Sequence, residues 1–147
     1  MKPSFEMVDR ETGRYLPFIY EEELPFWEAA KQGQIKLQRC SSCGTAWYPI
    51  GPACPQCFSM KWEWSLMSGR GTLHNYVVYH KAWTKWFESR VPYAVIQVEL
   101  EEGPRLTANL ADCDLKDIRI GMPMEAVYEN VTSEITLINF RPARSAR

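Results

Sequence analysis

The alternation of apolar and polar side chains along this chain predicts mostly β structure. Residues 34–40 (QIKLQRC) alternate with a period of two, and residues 61–66 (KWEWSL) do so again, with Trp62, Trp64 and Leu66 on one face. A period of two is typical of a strand that buries one face. The sequence therefore predicts two strands, one on each side of a turn-rich segment.

Five further runs of β character follow from Gly69 onward. They are GTLHNYVVYH, YAVIQVELEEG, RLTANLADC, MEAVYENV and EITLINFRPA, each bounded by glycine, proline or acidic turn residues. Five short strands predict a small closed barrel of the oligonucleotide/oligosaccharide-binding type (OB-fold), with Gly69 and Gly71 available for bulges. A five-stranded sandwich is the alternative. Residues 114–121 are expected to form a single helical turn between the third and fourth strands.

One segment carries the signals of a helix. Residues 21–33 (EEELPFWEAAKQG) begin with acidic residues, place Pro25 in the first turn and end at Gly33. Phe26 and Ala30 share one face of this helix, with Trp27 beside them. Packing of that face on the chain's own domain is preferred over contact with another subunit. Residues 1–20 show neither a helical nor a strand periodicity and are predicted to be an extended arm.

Charge and hydropathy limit the possible environments of the protein. The chain has 147 residues and a formal net charge of -1, which argues against binding to nucleic acid or anionic membranes. It contains no apolar run long enough to span a bilayer, and its first residues lack the apolar core of a signal peptide. The expected location is the cytoplasm, without membrane association.

Four of the five cysteines form two C-x-x-C knuckles, Cys40 with Cys43 and Cys54 with Cys57. Two such knuckles supply four thiolates for a tetrahedral ion, which suits zinc and leaves no position for an activated water. The prediction is therefore a structural zinc ribbon. Iron with the same four ligands stays open, as do free thiols or a redox pair. The chain divides into residues 1–33 (arm and helix), 34–67 (zinc ribbon) and 68–147 (barrel and tail).

The remaining reactive side chains do not form a recognisable catalytic set. Cys113 stands alone, and a buried structural cysteine is preferred over a nucleophile. The two histidines, His74 and His80, lie six apart in one predicted strand and so are expected on one face. No nucleophile with a matching base, and no phosphate-binding glycine motif, is recognisable. No catalytic residue is predicted.

The segment between the first two barrel strands, residues 80–90 (HKAWTKWFESR), combines aromatic and basic side chains. These are Lys81, Trp83, Lys85, Trp86, Phe87 and Arg90. The aromatic rings either fold back on the barrel as a plug or form a contact surface for a partner or for coenzyme A, whose adenine they could stack on. Arg141, Arg144 and Arg147 add positive charge to what is expected to be a solvated tail.

The order of these motifs resembles the DUF35 family across most of the chain. RCSSCG and CPQC follow a helix and a strand, and GRGTLHNYVVYH then opens the barrel. The resemblance implies a rubredoxin-like zinc ribbon, with the four knuckle cysteines as ligands, and an OB-fold associated with acyl-CoA enzymes. It implies a non-catalytic subunit in a hetero-oligomer with a thiolase-like enzyme. There the chain supports assembly, binds the coenzyme A thioester or closes the active site. Within the family it looks similar to small subunits of thiolases that cleave benzoylsuccinyl-CoA.

Two other classes of function stay open at this point. Zinc ribbons and OB-folds also bind single-stranded nucleic acid, although this use needs aromatic platforms along a basic groove, and the net charge does not favour it. The third class is a self-sufficient enzyme that uses Cys113 or a histidine.

Overall fold

A computed structural model describes residues 8–144 and confirms the mainly β architecture with one α-helix. The helix, α1, spans Leu24–Lys31 and follows a 3₁₀ turn at Glu21–Glu23. Within the described range, the strands are β1 (Ile35–Cys40), β2 (Ala46–Trp47), β3 (Trp62–Met67), β4 (Arg70–Tyr79), β5 (Tyr93–Leu100), β6 (Arg105–Asn109), β7 (Pro123–Asn130) and β8 (Thr136–Pro142). Two further 3₁₀ turns occupy Lys85–Phe87 and Leu115–Asp117, the second where one helical turn is predicted.

Helix α1 packs on its own chain, as the preferred interpretation holds. Phe26, Ala29 and Ala30 are buried, and Phe26 belongs to the same core as Ile35 of β1. Trp27 is partly buried against this core, and its indole N–H donates to Glu23 Oε2 at 3.3 Å. The helix has eight residues, and no helix among residues 8–144 is long and apolar enough to cross a membrane.

The strands form two antiparallel sheets that share one core. The smaller has the order β2-β1-β3, and the larger has the order β6-β5-β4-β7-β8. A parallel bridge from Leu110 to Phe140 brings the two outer strands of the larger sheet together, and the Ala111 N–H donates to the Phe140 carbonyl at 2.8 Å. This closure produces the five-stranded OB-fold barrel and rules out the sandwich. Ile35 and Leu37 of the smaller sheet lie in one cluster with the barrel core.

The bulge in the first barrel strand lies at His74 and not at Gly69 or Gly71. The register of β4 against β5 shifts between Leu73 and Asn75, so one extra residue enters β4 at His74. The bulge changes which positions of β4 face inward. Leu73, an odd-numbered position, is buried before the bulge, whereas Tyr76, an even-numbered position, packs on the core after it. His80 lies beyond the end of β4. The expectation that His74 and His80 share one face of a regular strand is therefore wrong.

The third barrel strand is shorter than predicted, and the last one includes Arg141. β6 ends at Asn109, so Cys113 lies in the loop that follows and is half-buried, not fully buried. Arg141 belongs to β8, where its Nε donates to Glu125 Oε1 at 2.8 Å, so it is not part of a solvated tail. Arg147 lies outside the described residues.

The described part of the N-terminal arm is not uniformly extended. Val8 and Tyr15 form an antiparallel bridge, and the Gly13 N–H donates to the Asp9 carbonyl at 2.7 Å between them. The Asp9 carboxylate accepts a hydrogen bond from the Thr12 hydroxyl at 2.6 Å, which stabilises this tight turn. Residues 1–7 of the predicted arm lie outside the described residues.

Candidate functional site

The structure brings the sulfur atoms of the four knuckle cysteines together. Cys40 ends β1, Cys43 follows in the first turn, and Cys54 and Cys57 occupy the turn before β3. Their Sγ atoms all lie within 4.8 Å of one another, and the pairs Cys40–Cys57 and Cys43–Cys54 are each 3.6 Å apart. Four sulfurs at about 2.3 Å from a central zinc would be about 3.8 Å apart in a tetrahedron. The ligand set and its spacing therefore fit a tetrahedral ion.

The two knuckles share one backbone design. The Gly44 N–H donates to the Cys40 carbonyl at 3.0 Å, and the Phe58 N–H donates to the Cys54 carbonyl at 2.9 Å. Both residues have a positive φ, +78° at Gly44 and 61° at Phe58, so that each turn closes. Glycine tolerates this conformation without cost, whereas a phenylalanine is strained in it. The second knuckle thus carries an exposed aromatic ring where the first carries glycine.

The electrostatics of the cluster favour a bound cation. The Cys43 backbone N–H lowers the pKa of Cys40, and hydrogen bonds from the Thr45 hydroxyl and backbone lower the pKa of Cys43 to about 6. At Cys57 the Ser59 backbone lowers the pKa, but the neighbouring sulfurs outweigh it and raise the value to about 12. Thiolates this close repel one another, so all four ionise together only around a cation.

Gln38 is a structural residue of this site that sequence reasoning missed. Its side chain is 1% exposed; Nε2 donates to the Gly51 carbonyl at 2.8 Å, and Oε1 accepts from the Gly51 N–H at 2.8 Å. This pair of hydrogen bonds fastens the loop between the knuckles to β1. A glutamine at a polar position of an alternating strand predicts exposure, so the sequence holds no signal for this role.

Replacing Gln38 with alanine is expected to lower the free energy of unfolding by about 2 kcal/mol, because it removes a buried side chain and leaves the partly buried N–H and carbonyl of Gly51 without these partners. Chemical denaturation followed by tryptophan fluorescence measures the change. Gln56→Ala is the matched control, since Gln56 is an exposed glutamine within the second knuckle. Equal stability of the two variants would contradict the role of Gln38.

The aromatic loop divides into a packed part and an exposed part. Trp86 lies between two guanidinium groups, with Arg90 Cζ 3.4 Å and Arg14 Cζ 4.7 Å from the ring centroid. The ring of Phe87 stacks on that of Tyr93, with the ring centroids 4.0 Å apart. Trp86 and Phe87 therefore fold back on the barrel, as the plug interpretation predicts. Trp83 is different: it is 68% exposed and its ring is contacted by Lys81 Nζ at 4.5 Å.

Arg14 anchors the N-terminal turn to the barrel beside this loop. Its two guanidinium nitrogens donate to the Glu129 carboxylate at 2.7 and 3.1 Å, and its side chain is 11% exposed. Asn139 Nδ2 also donates to Glu129 at 3.2 Å. A cavity of about 490 Å³ lies here, lined in part by Arg14, Trp86 and Glu129. Sequence reasoning missed this contact because its partners are 115 positions apart.

The ion pair makes the anchoring of the turn dependent on pH. The hydrogen bond from Arg14 lowers the pKa of Glu129 below its ordinary value of 4.5, although burial opposes this. A lowered pKa in the folded state means that the carboxylate stabilises the fold above its unfolded pKa, and that this contribution is lost as the pH falls through the folded pKa.

Glu129→Gln is therefore expected to lower the melting temperature at pH 7 and to have a shrinking effect as the pH falls below about 4.5. Melting curves of the variant and the unchanged protein between pH 3 and pH 7 measure this. Glu134→Gln serves as the control, because Glu134 is exposed on the turn between β7 and β8. A difference that stays constant with pH would argue against a charged Glu129 as its source.

The geometry around Cys113 does not favour nucleophilic chemistry. Burial, together with the nearby Asp117 and Asp114 carboxylates, raises the pKa of this thiol, so the thiolate is disfavoured at neutral pH. Within residues 8–144 no side-chain hydrogen bond joins a histidine to a cysteine, serine or threonine. Among residues 8–144, the four clustered cysteines can hold a metal ion.

The zinc ribbon and the barrel each match a described family. The rubredoxin-like zinc ribbon domain of ChsH2 matches residues 27–63, and the C-terminal OB-fold domain of ChsH2 matches residues 64–129. A DUF35 domain-containing scaffold protein of Methanocaldococcus jannaschii is 39% identical over 97 residues, which cover 65% of this chain and 68% of that protein. The chain therefore belongs to the DUF35 family, as the resemblance predicts.

Two further relatives are described as parts of enzymes. A solved structure described as an Ltp2-ChsH2(DUF35) aldolase superposes with a TM-score of 0.76 at 40% identity, over 86% of this chain and 98% of that one. A probable enoyl-CoA hydratase alpha subunit of Thermomonospora curvata is 40% identical over 127 residues, or 86% of this chain. The matched region spans 39% of the length of that hydratase subunit.

Proposed function

We propose that this chain is a non-catalytic accessory subunit that binds an acyl-CoA enzyme in a hetero-oligomeric complex. The observation that carries the proposal is a complete four-cysteine metal site in a chain that superposes over 86% of its length on a structure described as an Ltp2-ChsH2(DUF35) aldolase. A site with four cysteine ligands has no open position for substrate or water, so its role is to hold the fold. The names of the relatives, a scaffold protein and an alpha subunit, support an accessory role.

Zinc is the ion that we propose for Cys40, Cys43, Cys54 and Cys57. The zinc-ribbon family match and the 3.6 Å sulfur spacings support it. Iron uses the same ligands, and elemental analysis of the purified protein distinguishes the two metals. Four reduced thiols require a reducing compartment, which supports our proposal that the complex is cytoplasmic.

For the partner, we propose an enzyme of the thiolase type that acts on a coenzyme A thioester, with cleavage of benzoylsuccinyl-CoA as the specific hypothesis. The resemblance to DUF35 subunits of such enzymes supports it, while the named relatives extend the possible partners to hydratases and aldolases. Lys81, Trp83 and Lys85 are exposed and available to contact the partner or coenzyme A. Trp86, Phe87 and Arg90 form the packed base of this loop.

Affinity purification of the tagged chain from its native source at low salt tests the proposal. We expect an acyl-CoA enzyme subunit to co-purify in near-stoichiometric amount, and turnover of its acyl-CoA substrate to require both chains. A metal-loaded, monodisperse chain that captures no such enzyme would contradict the proposal. Salt-dependent binding of single-stranded DNA or RNA by that chain would instead favour a nucleic-acid-binding module.

A further inference from the structure

We propose that the free edge of β4, from Tyr76 to Tyr79, is the site where an extended segment of the enzyme partner adds as a further strand. This inference rests on the proposed function, because it identifies the surface through which the accessory subunit binds. It assigns one partner and one mode of contact.

The backbone of β4 is paired on one side only after the bulge. β7 pairs with residues 70–72 of β4, and Leu73 exchanges hydrogen bonds with Met122 and Gly121. Beyond Leu73, the structure of residues 8–144 shows no backbone partner on that side of β4, while β5 stays paired on the other as far as Tyr79. Among the described residues, the end of β4 is therefore an open sheet edge.

The hydrogen-bond pattern shows which groups point outward from this edge. Val78 lies opposite Ala94 of β5, and the Ala94 carbonyl accepts from the Leu110 N–H on the side of β6. In an antiparallel ladder, Val78 then directs its own N–H and carbonyl away from β5. Tyr76 also directs its backbone N–H and carbonyl away from β5, but its N–H already donates to Asn75 Oδ1 at 2.8 Å. The Tyr76 carbonyl and both backbone groups of Val78 are available to a further strand.

The side chains at this edge do not protect it against pairing. Natural edges are shielded by charged residues, prolines or inward-pointing charges, and residues 76–79 contain none of these. Val77 and Tyr79 are instead 51% and 37% exposed on the outer face. Tyr79 stacks on Tyr93 at 5.3 Å, and the exposed Trp83 follows in the adjacent loop. An open backbone edge with apolar side chains beside it fits strand addition.

The charge around the edge selects a partner over a second copy of this chain. The loop that follows β4, residues 80–92, carries Lys81, Lys85 and Arg90 against the single acid Glu88, a net charge of +2 with histidine neutral. An antiparallel pair of two copies would place each basic loop beside residues 74–79 of the other copy, which contain no acidic side chain. The occupant that fits is an extended segment with alternating apolar side chains and acidic residues beside them.

Val78→Pro tests the inference by deleting the outward N–H without removing a hydrogen bond between β4 and β5. Val78→Thr is the matched control, since it keeps the N–H and the branched shape. Binding is measured with the full-length chain and the acyl-CoA enzyme subunit that co-purifies with it. We expect Val78→Pro to raise the Kd at least about tenfold and Val78→Thr to change it less than about twofold. Both variants are expected to retain their metal.

Hydrogen exchange of the unmodified complex provides a second measurement that does not depend on the folding of a variant. The Val78 amide is expected to exchange rapidly in the free chain and to become protected in the complex. An unprotected Val78 amide, together with equal affinities of both variants, would overturn the inference and leave the proposed function standing. Failure of the unmodified chain to bind any acyl-CoA enzyme would instead overturn the proposed function. Self-association abolished by Val78→Pro would overturn the assignment of the edge to an enzyme partner.

Discussion

Substitution of Cys54 by serine is expected to abolish metal binding and to unfold the two cysteine turns at the end of the smaller sheet. Cys54 is fully buried, and its sulfur lies 3.6 Å from that of Cys43 at the centre of the site. The apolar cluster around the knuckles is small, with Cys40, Trp47 and Cys54 buried and Trp62 packed against them. Such a cluster does not hold a fold alone, whereas structural zinc contributes on the order of 10 kcal/mol.

Elemental analysis and near-ultraviolet circular dichroism measure this effect. The zinc content is expected to fall from about one per chain to near zero. The tryptophan signals should weaken, because Trp47, Trp62 and Trp64 stack edge-to-face beside the metal site. Cys113→Ser is the matched control, as Cys113 lies outside the cluster and should retain full zinc. A Cys54→Ser protein with one tightly bound zinc and unchanged dichroism would refute a four-cysteine site.

The second large effect is expected from Gly71→Ala. A methyl group at this position would overlap the backbone carbonyl oxygen of Glu99 and lie 2.8 Å from its carbonyl carbon. Gly71 pairs with Leu100 of β5 and with Met124 of β7, so neither neighbouring strand can move without disturbing the barrel. We expect a loss of at least about 3 kcal/mol in the free energy of unfolding, measured by denaturant titration.

Gly51→Ala is the control for this substitution. An added Cβ at Gly51 meets nothing within 4 Å, and its backbone is not in the left-handed region, so its stability should change little. Similar unfolding midpoints for the two variants would show that the barrel accommodates a side chain at Gly71, where β4 pairs with β5. A large loss restricted to Gly71→Ala would support the contact between an added side chain at this position and the backbone of Glu99.

Local patterns along the chain were sufficient for the elements and for the metal ligands. The alternation in residues 34–40 and the glycine and proline boundaries after residue 68 correspond to β1 and to the five barrel strands. The knuckle cysteines could be recognised because ligands three positions apart converge through a local turn. The family resemblance was likewise carried by short contiguous motifs. The division at residues 33 and 67 and the coenzyme A contacts of the aromatic loop stay predictions.

Contacts between distant segments were not predictable from such patterns. Arg14 meets Glu129, and Gln38 holds Gly51, only because the fold brings together segments that no local period relates. The bulge at His74 is a similar case, since an extra residue in β4 can be recognised only against the register of β5. The environment of Trp86 also depends on Arg14, which arrives from the N-terminal turn.

The two kinds of information therefore differ in physical range. Strand periodicity, turn residues and paired cysteines act within a few positions, so the amino-acid sequence alone determined the ribbon, the barrel strands and the cluster of four cysteines. The open edge at Val78 was decided by tertiary structure. It exists because β7 pairs with β4 only as far as Thr72, a register between strands that lie far apart in the sequence. The bridge between Leu110 and Phe140 closes the barrel. Closure is a property of all five strands together, and no single segment encodes it.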